Sequence, residues 1–249
     1  GVFHSTDDGQ TWTPSLNAGT TWSIAIDGSN IFAGTDDGVF HSIDNGQTWT
    51  LTSLNNYRVF SLAVSGPNIF AGTFFGVIRS TNSGQTWMQT TLDSVEVGPV
   101  AANGSNVMAG TEYGLYYSLD NGETWSNTNE LPYQINCLII NGFEAFGGSI
   151  GVYLSTNNGQ SWINKSQGLP AEWVREIVIA GDYIYAGLNG VWRRPLNEVI
   201  PVELTSFSAS VVNSEIILNW TIASEINNQG FEIYRNGNKI AFVEGKGTT

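Results

Sequence analysis

The sequence predicts an all-β fold assembled from copies of one small unit, and three observations carry that prediction. An eight-residue pattern returns five times, with steps of 37, 38, 38 and 37 residues between its tryptophans. Around each copy lie short runs of β-branched and aromatic residues bounded by Gly, Asn and Asp, the marks of strands joined by tight turns. Of the 249 residues, 41% are hydrophobic, enough to fill a core. A fixed period of this size means that each unit leans on its neighbour to bury an apolar face.

The pattern is Ser-x-Asp-x-Gly-x-Thr-Trp. It reads Ser5, Asp7, Gly9, Thr11 and Trp12 in the first copy, and Ser42, Asp44, Gly46, Thr48 and Trp49 in the second. The third holds Ser80, Asn82, Gly84, Thr86 and Trp87, and the fourth Ser118, Asp120, Gly122, Thr124 and Trp125. The fifth holds Ser155, Asn157, Gly159, Ser161 and Trp162. Asn thus replaces the acid twice, and Ser161 replaces Thr. Aligning the tryptophans brings up a second repeated run: residues 30–35 with 38–42 recur as 68–73 with 76–80 and as 106–111 with 114–118.

One period then predicts four strands, at about 22–26, 30–34, 38–42 and 48–52. Asp27-Gly28-Ser29-Asn30 and Asp36-Asp37-Gly38 predict tight hairpins, because Asp, Asn and Gly tolerate positive φ. The longer link from Leu51 to Arg58 leads to the next inner strand. Four antiparallel strands make a blade, and radial stacking of blades protects their edges, which gives a β-propeller; a solenoid is the architectural alternative. Blades fall at about 20–52, 58–91, 94–128, 133–165 and 172–196, preceded by half a blade at 1–14. A first domain over 1–196 therefore holds about six blade positions. The last carries Gly190-Val191-Trp192-Arg193-Arg194 in place of the pattern.

The repeated turn resembles the Asp-box, or bacterial neuraminidase repeat, of sialidases, sortilin-type receptors, xyloglucan-degrading enzymes and photosystem assembly factors. The resemblance covers residues 1–196. Physically, the Ser hydroxyl and the Asp or Asn oxygen organise hydrogen bonds within the turn. The glycine takes a backbone geometry costly to other residues, and the tryptophan packs a large apolar face at the start of the outer strand. Catalysis needs unlike groups that converge, whereas these residues stand at equivalent positions around a ring, so their expected role is structural. Calcium fails a ligand count, since each turn offers one or two carboxylates.

Nine Lys and Arg against 22 Asp and Glu give a formal charge of -13, which weighs against nucleic acid and anionic membranes as partners. No apolar run reaches the roughly 18 residues of a membrane span. No nucleophile elbow, phosphate loop or paired-cysteine motif implies a cofactor or metal. His4 and His41 lie one repeat apart and give way to Arg79 and Tyr117, so they read as packing or surface residues. Cys137 has no intrachain partner and reads as a small buried apolar side chain. Sialidases hold a carboxylate with three arginines; here Arg58, Arg79, Arg175, Arg193 and Arg194 do not mark such a triad. Arg58 and Arg175 precede inner strands and, with the loop aromatics Phe74, Phe75, Tyr113 and Trp173, are the candidate ligand-face residues. Asp36, Asp37, Glu96, Glu112 and Glu172 read as turn acids, and none is assigned a catalytic role.

After Arg194 the period ends, and Pro195 to Pro201 reads as a semi-rigid junction. Residues 202–209, 215–220, 230–235 and 239–243 alternate as strands, Asn236-Gly237 suggests a hairpin, and Trp220 is the expected central aromatic. Pro201-Val202-Glu203-Leu204-Thr205-Ser206-Phe207, Asn219-Trp220 and Asn228-Gln229-Gly230-Phe231-Glu232-Ile233 resemble a fibronectin type III-like domain of secreted Bacteroidetes-type proteins, here truncated over 201–249. That resemblance implies export by type IX secretion. The first repeat opens in mid-unit and the last segment stops at Thr249, the expectation for a fragment. Together these readings predict a noncatalytic recognition or scaffold module, secreted or at the cell surface, that binds an extracellular protein or glycan and the neighbouring domains of its parent. A glycoside hydrolase with an incomplete active site and an assembly-factor propeller are the alternatives.

Overall fold

A computed structural model describes residues 1–128, 131, 134–200, 204–212, 215–222, 230–235 and 238–244. The chain divides into two compact units: residues 1–177 with 186–190, and residues 178–185 with 191–249.

The first unit opens on a two-stranded antiparallel sheet, β1 (Val2–His4) with β2 (Thr13–Leu16). Three complete sheets of one design follow. The first joins β3 (Thr21–Asp27), β4 (Asn30–Thr35), β5 (Gly38–Ser42) and β6 (Thr50–Asn55) in sequence order. The second joins β7 (Val59–Ser65), β8 (Asn68–Thr73), β9 (Gly76–Ser80) and β10 (Met88–Asp93). The third joins β11 (Val97–Asn103), β12 (Asn106–Thr111), β13 (Gly114–Ser118) and β14 (Ser126–Thr128). A fourth, with a shorter outer strand, joins β15 (Cys137–Asn141), β16 (Glu144–Ser149), β17 (Gly151–Ser155) and β18 (Ile163–Asn164). These are propeller blades, each an up-and-down antiparallel sheet whose inner strand packs beside the inner strand of the next.

The registers repeat with the sequence. Phe32 pairs with His41, Phe70 with Arg79, and Met108 with Tyr117. The hydrophobic core lies in the seams between blades. Phe32, Val39 and Leu54 of the first complete blade pack with Val59, Leu62 and Ile69 of the second. Phe70, Val77 and Leu92 meet Val97, Val100 and Val107 across the next seam. Met108 and Leu115 meet Ile135, Ala145 and Trp162 across the third. Middle strands are accordingly buried almost throughout, as in β8 and β12, whereas outer strands such as β6 and β10 expose most positions.

Both hairpin types differ in detail from the sequence expectation. In the turn between β3 and β4, Gly28 alone takes positive φ, at 61°, at the first central position of a two-residue loop, as a type II′ turn requires. In the turn between β4 and β5, Asp36 and Asp37 keep negative φ and only Gly38 is positive, at 131°. The acids are held instead by Thr35, whose hydroxyl donates to the Gly38 carbonyl at 3.0 Å and accepts from the Asp37 amide at 3.1 Å.

The next sheet has three strands, β19 (Glu176–Ala180), β20 (Tyr183–Gly187) and β21 (Val191–Pro195), where the repeat predicts four. The chain leaves β21 into α1 (Leu196–Val199), so the stretch read as a semi-rigid junction contains a helical turn. Two physical causes stand beside it: Pro195 fixes its own φ at -56°, and Leu196, Val199 and Ile200 are buried. Within the second unit Arg193 lies 4.8 Å over the Tyr183 ring. The unit ends in two antiparallel hairpins, β22 (Leu204–Val212) with β23 (Glu215–Ile222), and β24 (Gly230–Arg235) with β25 (Asn238–Glu244). In the first, Trp220 pairs with Phe207. Pro201 to Glu203 and the turn at Asn236-Gly237 lie outside the described residues.

Candidate ligand face of the propeller

The hydrogen bonds around the Ser and the Asp or Asn of the repeated turn are built the same way in every copy, whereas the indole bond is made by Trp12, Trp49, Trp87 and Trp162 but not by Trp125. In the first, Asp7 accepts from the Thr11 hydroxyl at 2.6 Å, from the Thr11 amide at 2.9 Å and from the Ser5 hydroxyl at 2.8 Å. These bonds hold the Asp7 carboxyl at a pKa of about 2, the Thr11 hydroxyl contributing most. Ser5 in turn accepts from the Gly9 amide at 2.9 Å, and the Trp12 indole donates to the Gly9 carbonyl at 3.1 Å. Asp44 and Asp120 are held alike, also at about 2.

Where Asn stands in for Asp the network survives by reversing one proton. Asn82 still accepts from Ser80 at 3.0 Å and from the Thr86 amide at 2.9 Å, but its amide now donates to the Thr86 hydroxyl at 2.9 Å. Asn157 does the same with Ser155 and Ser161. Two adjacent residues of each turn take positive φ, as in Asp8 at 55° and Gly9 at 82°, which makes a type I′ turn. The sequence pattern pointed only to the glycine. The position before the glycine is filled by Asp8, Asn45, Ser83, Asn121 and Asn158, mostly types that tolerate the left-handed region. Of the tryptophans, Trp12 is 60% exposed and Trp162 only 7%, because Trp162 is packed in a seam.

Strand direction puts these turns at one end of the blades and the turns after β4, β8 and β12, with the links into the inner strands, at the other. The second end is where bulky side chains collect. Trp22 on β3 donates its indole N–H to Asp36 at 2.9 Å, and the Arg58 Nε meets the same carboxylate at 2.7 Å. The Trp22 bond, followed by Thr20 and Arg58, lowers the Asp36 pKa. The Arg58 guanidinium lies 5.9 Å from the Trp22 ring centre and 5.8 Å from that of Phe74. Phe60 meets Trp22 edge-on at 6.1 Å and Phe74 at 4.7 Å. Phe75 is 61% exposed and touches Tyr57 edge-on at 5.9 Å.

Beside this array opens a cleft of about 450 Å³, whose lining includes Trp22, Phe60, Pro99, Gln134, Asn136 and Glu176. Glu176 is its one carboxylate among the described residues. Cys137 lies in the wall, 5% exposed, its thiol pushed up to about 12 by burial and then by Glu176. The structure thus gathers Arg58, Phe74 and Phe75 on one blade, beside Trp22 of the blade before it, and leaves the other three candidates elsewhere on the same end. Tyr113 sits in the turn after β12, its phenol pKa raised by a hydrogen bond to Glu112. Trp173 forms an isolated bridge with Ile150, and the Arg175 amide donates to the Gly187 carbonyl. Trp22 and Phe60 were missed by sequence reasoning. Their signal was present: they are equivalent inner-strand positions, and the third copy has Gly98 there. Among the described residues no group of three or more His, Cys, Asp or Glu is placed to hold a metal, and no helix is long and apolar enough to cross a membrane.

Against known families, the BNR/Asp-box repeat model matches residues 3–14 and 116–127. The chain carries BNR/Asp-box repeats. No curated protein matches it in sequence. Solved structures similar in fold to this Asp-box chain include YCF48 bound to D1 peptide, at 18% identity and a TM-score of 0.56, over 71% of this chain and 65% of that one. The Niastella koreensis GH74 enzyme is 15% identical, with a TM-score of 0.59, over 72% and 36%. The extracellular domain of a hybrid two-component system from B. thetaiotaomicron is 16% identical, with a TM-score of 0.55, over 75% and 28%. The Asp-box chain spans 28% to 65% of these structures' lengths, and at such identities the likeness is one of fold.

Proposed function

We propose that the chain is a noncatalytic recognition module of an extracellular multidomain protein, and that it binds a glycan across the cleft and its aromatic rim. The observation that carries this reading is the Trp22–Arg58–Phe74 array, half-exposed rings fixed in place beside amide side chains. Aromatic faces pack against the apolar faces of sugar rings, while Gln134 and Asn136 offer donors and acceptors at the cleft. The ion pair of Arg58 with Asp36 leaves the rim locally neutral, which suits an uncharged ligand better than a polyanion.

A hydrolase needs two opposed carboxylates, and the cleft offers Glu176 alone among its described lining residues. Secretion is supported by the resemblance of 201–249 to fibronectin type III-like segments, to which the hairpins β22–β23 and β24–β25 would belong. The similarity of fold to an extracellular sensor domain supports the same placement. On this reading the propeller domain is 1–196.

A glycan array probed with the chain, followed by calorimetric titration of any hit, tests the proposal. Trp22→Ala and Phe74→Ala are each expected to weaken binding by about tenfold, the scale of a truncated aromatic anchor, with the far-ultraviolet spectrum unchanged. Binding indifferent to both substitutions, or no glycan bound at all, would move recognition to a protein ligand; sugar release over time would make the chain a hydrolase.

A further inference from the structure

Equivalent seams between blades are closed by different side chains. In the seam between the second and third complete blades, Arg79 on β9 reaches the next blade's Asp-box turn, where Nη1 donates to the Asn121 carbonyl and Nη2 to the Glu123 carboxylate, both at 2.5 Å. His41 on β5 holds the same position one repeat earlier. Its ring lies flat on Phe32, with centroids 4.3 Å apart, and Nε2 is 3.0 Å from Asn30 Oδ1. It does not cross the seam. A cavity of about 550 Å³ lies there, lined by His41, Thr50, Thr52, Ser83, Gly84 and Gln85 among others.

The far wall of that cavity repeats the geometry that holds Arg79. Ser83 and Asn121 are the same turn position, with φ of 55° and 59°. Each amide is tied to the hairpin behind it, Ser83 to the Pro67 carbonyl at 3.0 Å and Asn121 to that of Ser105 at 2.9 Å. The following glycines sit alike against the core, a Cβ on Gly84 falling 3.1 Å from Phe32 and one on Gly122 3.2 Å from Phe70. The Ser83 carbonyl is therefore presented as the Asn121 carbonyl is, and Gln85 takes the place of Glu123. Among the described residues none donates to the Ser83 carbonyl or to the Gln85 side chain.

We propose that this cavity binds a guanidinium group, carried by an arginine side chain of a partner protein, with the Ser83 carbonyl and the Gln85 amide oxygen as its acceptors. Arg79 is the internal example of the ligand, already seated in the neighbouring seam. A guanidinium is planar and offers forked donors that meet two fixed acceptors and stack on a flat ring such as His41, whereas an ammonium is a point donor. The formal charge of -13 draws a cation in. This site is separate from the aromatic rim and does not depend on the glycan reading.

The whole chain titrated with N-acetyl-arginine amide, followed by amide NMR, tests the assignment. Saturable shifts are expected at Ser83, Gly84 and Gln85, with N-acetyl-lysine amide at least tenfold weaker. His41→Arg fills the cavity from within and is expected to abolish the shifts. Gln85→Glu, at an exposed position, restores the carboxylate that Glu123 supplies and is expected to tighten binding about tenfold, as a charged acceptor replaces a neutral one. Should His41→Arg fail to fold, Gln85→Glu still decides. No saturable shift in either the natural chain or Gln85→Glu, equal binding of the lysine and arginine probes, or undiminished shifts in His41→Arg would each overturn the proposal.

Discussion

At the scale of single residues, the three Asp-box acids make the fold sensitive to acid. Asp7, Asp44 and Asp120 titrate at about 2 in the folded chain, below the ordinary value of 3.8. A folded pKa below the unfolded one adds stability that is complete above the unfolded value and is lost as pH falls through the folded one. The melting temperature is therefore expected to drop between about pH 4 and pH 2. Replacing all three with Asn should flatten that limb while leaving stability near pH 7 little changed, because Asn82 and Asn157 already run the same turn. Circular dichroism melts from pH 2 to pH 6 measure this, and an unaltered acid limb in the triple variant would place the sensitivity elsewhere.

At the scale of elements, the blades are spaced by contacts between one blade's second strand and the next blade's inner strand. A Cβ on Gly72 would lie 2.7 Å from the Gly98 carbonyl and 3.0 Å from the Val100 side chain. Gly72→Ala must push β8 and β11 apart and is expected to cost about 1–3 kcal/mol, the usual range for overpacking. Gly98→Ala is the control, since its nearest neighbour would be 3.9 Å away, and it should melt within a degree or two of the natural chain. Equal melting temperatures for the two would refute the spacing role. The strands themselves were legible in the sequence because turn formers recur at fixed offsets, and β3 to β6 begin within two residues of their expected starts. The helical turn at α1 was not, since Pro195 and Pro201 bracket a stretch too short for any period to register. Nor was the rim at Trp22 and Phe60 foreseen: an aromatic on an inner strand reads as core until the packing leaves it in the open.

At the scale of the whole molecule, charge is poorly compensated. Acids outnumber bases 22 to nine, so most acids have no base to pair with; the side-chain ion pairs of the described residues include Arg58–Asp36, Arg79–Glu123 and Arg194–Glu198. Raising ionic strength screens more repulsion than attraction, so the melting temperature is expected to rise between about 10 mM and 150 mM salt, as the Debye length falls from roughly 30 Å to 8 Å. A fall would mean that the few pairs outweigh the surplus. The two ends of the blades also differ in how freely they can vary. Thr35, Thr73 and Thr111 each clamp a turn by donating to a glycine carbonyl at 2.9 to 3.0 Å and accepting an amide at 3.0 to 3.1 Å. The clamp uses only the backbone of what it encloses, and the enclosed pairs are Asp36-Asp37, Phe74-Phe75 and Glu112-Tyr113. Such a turn behaves as a two-letter cassette: its contents set the chemistry of one face, and rewriting them leaves the hinge of the hairpin as it was.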